Sequence, residues 1–139
     1  MPLGGRLFEE KGKVTSISIE SVHPVEGTKV KVDFVSEIKG TGNFPSGQNM
    51  GSGIMNQYPH GVWDSTYHGV ITTREGEQFM WWGHEKSRVG ESGQVRGLVL
   101  ITGFTHSQKL SWLNKLIMAA EIEFNPQVQE FAGTGYEWK

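Results

Sequence analysis

The chain is predicted to be all-β: a single antiparallel closed barrel of about eight or nine strands, calycin-like, with one short helix near residues 107–115. Three observations predict it. Glycine occupies nineteen of 139 positions, about twice the average usage of roughly 7%, which weakens helices and suits turns, bulges and close backbone approaches. Between Lys29 and Lys39 the residues alternate: Val30, Val32, Phe34 and Ile38 fall on one face and Lys29, Lys31, Asp33, Glu37 and Lys39 on the other. One face buried and one wet is the pattern of an antiparallel sheet. The remaining extended runs are separated by turn chemistry at the spacing of an all-β fold.

The elements follow in order. Val14 to Val22 is rich in β-branched residues, with Ile17 and Ile19 on one face, and Pro24 to Gly27 ends it. The alternating run through Lys39 is the second strand. From Gly40 to Gly53 the chain holds Gly40/Gly42 and Gly51/Gly53, pairs two apart that share a strand face and let a sheet coil sharply. Further strands are expected from Met55 to Tyr58, Gly61 to Thr73, Gln78 to Lys86 and Gln94 to Phe104, divided by Pro59-His60, Arg74-Glu75-Gly76 and Gly90-Glu91-Ser92-Gly93. Ser107 to Phe124 fits both periods, and divides into a helix over Ser107–Lys115 and a strand over Leu116–Phe124. Asn125-Pro126 turns the chain into a last strand, Val128 to Trp138. Residues 1–139 read as one domain.

Composition excludes several classes of function. With no cysteine, thiolate metal sites, disulfides and cysteine nucleophiles are ruled out. A formal charge of -2 with 20% charged residues argues against nucleic acid as a partner. No apolar run reaches 18 residues, so no membrane partner is expected and a cytoplasmic location is the default. The glycine pairs fail the dinucleotide fingerprint, because the third glycine position is Pro45 or Asn56. No lysine lies between Lys39 and Lys86 to complete a phosphate loop. His84-Glu85-Lys86-Ser87-Arg88 lacks the second histidine of a zinc-protease motif, and Gly90-Glu91-Ser92-Gly93 is followed by Gln94 where a nucleophile elbow needs glycine.

The histidines and aromatic residues remain. His60 and His68 converge only if Asp64-Ser65-Thr66 forms a hairpin; His84 with Asp64 or Glu85 would then complete a nitrogen/oxygen metal site. The simpler reading is local hydrogen bonding, and neither a metal nor any cofactor is expected. In the strand around Trp81-Trp82, Phe79, Trp81 and Gly83 share one face and Met80, Trp82 and His84 the other. The second face sets a polar tip beside two bulky apolar groups, so Met80, Trp82 and His84, with Trp63, Tyr67 and His68, are the expected ligand-binding wall of the barrel. Side chains that fill the interior are the competing expectation. Acid–base chemistry inside would fall to His84, Glu85, Asp64 or Glu121, although Glu121 alternates with apolar neighbours and should face water.

Gly40-Thr41-Gly42 with Phe44-Pro45 and Gly51-Ser52-Gly53, then Gly69-Val70-Ile71-Thr72-Thr73 with Glu75-Gly76-Glu77, and the closing Tyr136-Glu137-Trp138-Lys139 resemble uncharacterised small calycin-like barrels of bacteria and archaea. These are similar in architecture to allene oxide cyclase and dirigent barrels. The resemblance implies a last strand closing against the first and assembly as a homodimer or homotrimer. Its motifs are structural glycines and turn residues, so no catalytic residue carries over, and the glycine-x-tryptophan signature of lipocalins is absent. Three functions are thus expected to compete: binding of a small apolar ligand, a cyclase or isomerase acting on an apolar substrate inside the barrel, and a filled barrel that oligomerises through Trp63, Trp81 or Trp112.

Overall fold

The computed structural model describes residues 3–139. Eight antiparallel strands, β1 (Leu3–His23), β2 (Gly27–Gly40), β3 (Gly47–Gln57), β4 (Val62–Thr73), β5 (Gln78–Val89), β6 (Val95–Phe104), β7 (Met118–Asn125) and β8 (Glu130–Trp138), form a closed barrel in sequence order. Closure is by β8 on β1, with Phe8 opposite Gly135 and Lys13 opposite Glu130. The wall is therefore closed by paired strands, except at the far end of β1, which beyond Lys13 pairs in the sheet with β2 alone; closure removes most of the liability of an open sheet.

The turns carry the conformations their sequences predict. Gly27, Gly61, Gly76 and Gly93 have positive φ at the hairpin ends, where a side chain would be strained. Inside the wall, glycine makes room for rings instead. A Cβ at Gly69 would lie 2.6 Å from the Met50 carbonyl oxygen and 2.8 Å from the Trp81 ring. The indole thus lies over bare backbone, and the interior holds large aromatic groups within a narrow barrel.

Several expected boundaries move. β1 begins at Leu3 rather than Val14, because Leu7–Lys13 alternates glutamate and glycine with phenylalanine on its inner face and shows no apolar period. Gly40–Gly53 is not one extended run: residues 41–46 turn, burying Phe44 to 4% exposure. The helix expected over Ser107–Lys115 is a single 3-10 turn, Ser111–Lys115. The residues before it are held by local side-chain bonds: Asn114 Oδ1 accepts from the Thr105 N–H at 2.7 Å, and Ser107 Oγ from the Leu110 N–H at 3.3 Å. These bonds compete with helical ones.

That turn and the loop at Phe44 plug one end of the barrel. Leu110 and Leu113 are buried beneath it with Phe79, Met118 and Ala120, and Phe44 stacks on Phe8 at 5.1 Å between ring centroids. The opposite end carries only the short hairpin turns. Among the described residues no helix is long and apolar enough to cross a membrane.

Candidate functional site in the barrel interior

Alternation along each strand decides what enters the barrel. On β5 the inward set is Phe79, Trp81, Glu85 and Ser87, all buried, whereas Trp82, His84, Lys86 and Arg88 are exposed. This is the reverse of the expected phase. Met80, Trp82 and His84 lie on the outer wall, and so does His68, directly opposite Trp82 on the neighbouring strand. The physical reason lies at the end of the strand. Lys86 and Arg88 share the Trp82 face, and two cations cannot be buried unpaired in a barrel.

Trp63 and Tyr67 do line the interior. They face a void of about 100 Å³. Its walls are mostly aliphatic and aromatic, with Val32, Phe34, Val99, Ile101, Trp81 and Phe131 among them. Val14, Trp63, Ile122, Phe124 and Phe131 are only half-buried, so the void opens toward the end with the short turns.

Two carboxyl groups enter this apolar space, Glu10 from β1 and Glu85 from β5. Tyr67 Oη donates to Glu85 Oε1 at 2.9 Å. A longer network holds Glu10: Trp81 Nε1 donates to Asn49 Oδ1 at 2.7 Å, Asn49 Nδ2 to Ser36 Oγ at 3.0 Å, and Ser36 Oγ to Glu10 Oε2 at 2.6 Å. Asn49 and Ser36 are almost fully buried, and each satisfies its polar atoms within this chain, as burial demands.

Burial pushes the Glu10 carboxyl above its ordinary range; the Ser36 and Asn49 hydrogen bonds oppose the rise and the nearby Glu85 adds to it. Glu85 is likewise pushed up by burial, with the Tyr67 hydrogen bond pulling the other way. Desolvation, then the charge of Glu85, raises the Tyr67 hydroxyl far above its ordinary value, so it stays a donor. Two acids whose proton affinity burial raises in one apolar cavity are the kind of groups that general acid–base chemistry or oriented polar binding uses.

The other candidates stand elsewhere. Asp64 sits on the outer wall, accepting from His84 Nε2 at 2.7 Å and pairing with Lys86 at 2.9 Å; these bonds, Lys86 first, hold its carboxyl pKa below the ordinary carboxylate range. Glu121 is exposed. His60 lies in the β3–β4 turn, stacked on Tyr58. β4 runs unbroken from Val62 to Thr73, so the hairpin that would join His60 to His68 does not exist. Among the described residues no three histidine, aspartate or glutamate side chains gather as a metal site.

Sequence reasoning named Glu85 among the acids and missed Glu10, Ser36 and Asn49. The missing signal was available for β5 only. In Glu85-Lys86-Ser87-Arg88 the cations mark the outer face. In β1 the inner positions Phe8, Glu10, Gly12 and Val14 mix every polarity, and in β3 the inner Asn49 is more polar than the outer Met50.

No family model matches the chain, and no curated protein matches it. Solved structures do. The barrel is similar to a protein of unknown function from Clostridium acetobutylicum ATCC 824, with a TM-score of 0.84 at 15% identity over 100% of both chains. It is similar also to a β-barrel-like protein from Acinetobacter baumannii AYE, with a TM-score of 0.84 at 12% identity, covering 99% of this chain and 96% of that one. An enzyme from Penicillium herquei aligns with a TM-score of 0.65 at 16% identity, over 99% of this chain and 97% of its own. What the chain shares with these proteins is a small closed β-barrel fold over nearly its whole length.

Proposed function

We propose that the barrel interior binds a small, mostly apolar molecule and orients it by one polar group. The observation that carries this reading is the void of about 100 Å³ faced by both Glu10 and Glu85. A barrel selected only for stability would be better served by apolar residues at those two positions, because each buried carboxyl costs desolvation energy. Drug-sized ligands need roughly 300–1,000 Å³, so the ligand, or the part of it that enters, is compact. A cavity of roughly 150 Å³ is enough for benzene.

Trp63 and Trp81 stand in the wall and report on entry. A panel of small apolar molecules bearing one polar group is expected to change tryptophan fluorescence and raise Tm. In Val99→Phe, which adds a phenyl ring into the void, both responses should vanish. A response that survives in the filled barrel places binding elsewhere on the surface and defeats the reading.

A second reading, an isomerase or cyclase acting on an apolar substrate, is favoured by the raised proton affinity of Glu85. Glu85 would serve as the proton donor or acceptor and Tyr67 as its positioning partner. The structural likeness to a Penicillium herquei protein described as an enzyme is compatible with it. Turnover lost in Glu85→Gln while binding is retained would select this reading over binding alone.

A further inference from the structure

The ligand's polar group is open to further reading, and this inference rests on the binding role just proposed. Of the residues that line the void, Glu10 and Glu85 are acidic and none is lysine, arginine or histidine. Ser87, 5% exposed, also lines it, and its Oγ has no hydrogen-bond partner. An unsatisfied buried hydroxyl costs roughly 1–3 kcal/mol, so its position in the wall marks a place where a ligand can supply the missing partner, an N–H donor among them. Among the described residues, the side-chain donor directed at Glu85 is Tyr67, bound to Oε1. Glu10 is held through Oε2.

The acceptor-rich set sits among aromatic rings. Phe34, Tyr67, Trp63, Trp81 and Phe131 all line the same void. Faces of such rings attract a desolvated cation by about 2 kcal/mol or more in the best cases. Carboxylates, a free hydroxyl and aromatic walls, with no cation of the protein's own, are complementary to one chemical class.

We propose that the cavity takes the head of a protonated amine, with Glu10, Glu85 and Ser87 as acceptors for its N–H groups and the aromatic walls around its carbon. A primary ammonium has three donors, matching the three acceptor side chains. The void has room for about three water-sized groups at roughly 30 Å³ each. A short alkylamine fits, and a longer tail would leave through the half-buried mouth at Trp63 and Phe131. A neutral alcohol would use fewer of the acceptors and gain nothing from the two charges.

Proton linkage gives the inference a second readout. In the empty barrel burial favours the protonated acids. An entering ammonium favours the ionised form, so binding expels protons wherever the pH lies below the raised carboxyl values. Affinity for the amine should therefore rise with pH through that range and then level off. A neutral ligand shows no such rise.

The test is calorimetric titration of the full chain with n-butylamine and with 1-butanol, in buffers of different ionisation enthalpy from pH 5 to pH 8. The amine is expected to bind at least tenfold tighter than the alcohol at pH 8 and to release protons as the pH is lowered into the range where the raised carboxyls are protonated. Glu85→Gln should reduce the preference about tenfold. Glu10→Gln, which keeps the shape and an acceptor oxygen, should do the same in a protein that stays folded. Alcohol binding as tight as amine binding, or amine binding without proton release, overturns the amine assignment and leaves the binding site standing. If neither molecule, nor any of the apolar panel, binds at millimolar concentration, the binding role itself falls.

Discussion

At the scale of single residues, the candidate site is set by two glutamates whose carboxyls enter the apolar interior. Both carboxyls are raised by burial. A raised native value means the native state holds its proton more tightly than the unfolded chain. The stabilisation is complete below the ordinary carboxylate range and is lost as pH climbs through the raised value. Glu10→Gln removes that loss while preserving an acceptor for Ser36. Thermal unfolding of Glu10→Gln should therefore show a gain in Tm at pH 8 that shrinks as the pH falls toward 4; an equal gain at both would separate the effect from ionisation. Tyr67→Phe acts in the other sense. It leaves Glu85 without its donor at 2.9 Å, a cost of roughly 1–3 kcal/mol that grows with pH, since the bond favours the charged form. Denaturant unfolding at pH 5 and pH 8 reads the difference.

At the scale of elements, the alternation of β2 was legible except at the inward Ser36, because Val30, Val32, Phe34 and Ile38 face inward and every neighbour that is charged faces out. β5 was legible as a strand and misread in phase, since Trp81 and Trp82 weigh equally and only Lys86 and Arg88 break the tie. Polar interior positions in β1 and β3 inverted the usual pattern, which hid half of the candidate site. Glycines explain how the interior still packs. Gly69→Ala would drive a methyl group into the Met50 carbonyl and the Trp81 indole, and overpacking of this kind costs roughly 1–3 kcal/mol; a shift in Tm of only a few tenths of a degree would show that the indole moves freely. The far end of β1 behaves differently from the rest. Its pairing with β8 ends at Lys13, while its pairing with β2 continues to His23, so Ser16–His23 is bonded along one edge alone. Amides on its open edge should exchange with deuterium roughly 100-fold or more faster than those of Phe79 and Val99, and equal protection would mean that another strand covers it.

At the scale of the molecule, one end of the barrel is a plug and the other a mouth. Phe44, Leu110 and Leu113 close the first, and Leu113→Ala, at a site with no exposure, should cost about 2–5 kcal/mol while leaving ligand response at the far end intact. Closure of β8 on β1, which the resemblance to small calycin-like barrels implies, is the observed topology. The barrel class was legible because turn chemistry and glycine spacing are local. The interior was not, because which residues share it depends on register between strands far apart in sequence. Glu10 and Glu85 are 75 positions apart in the chain and meet only through closure. The central claim is that these two acids occupy one dry, ligand-accessible interior. Carboxyl-carbon NMR of the glutamates across pH tests it most directly. Glu10 and Glu85 should both titrate above the ordinary glutamate range, and both should shift when n-butylamine is added. Titration of both within the ordinary range, unmoved by any ligand, would contradict the account.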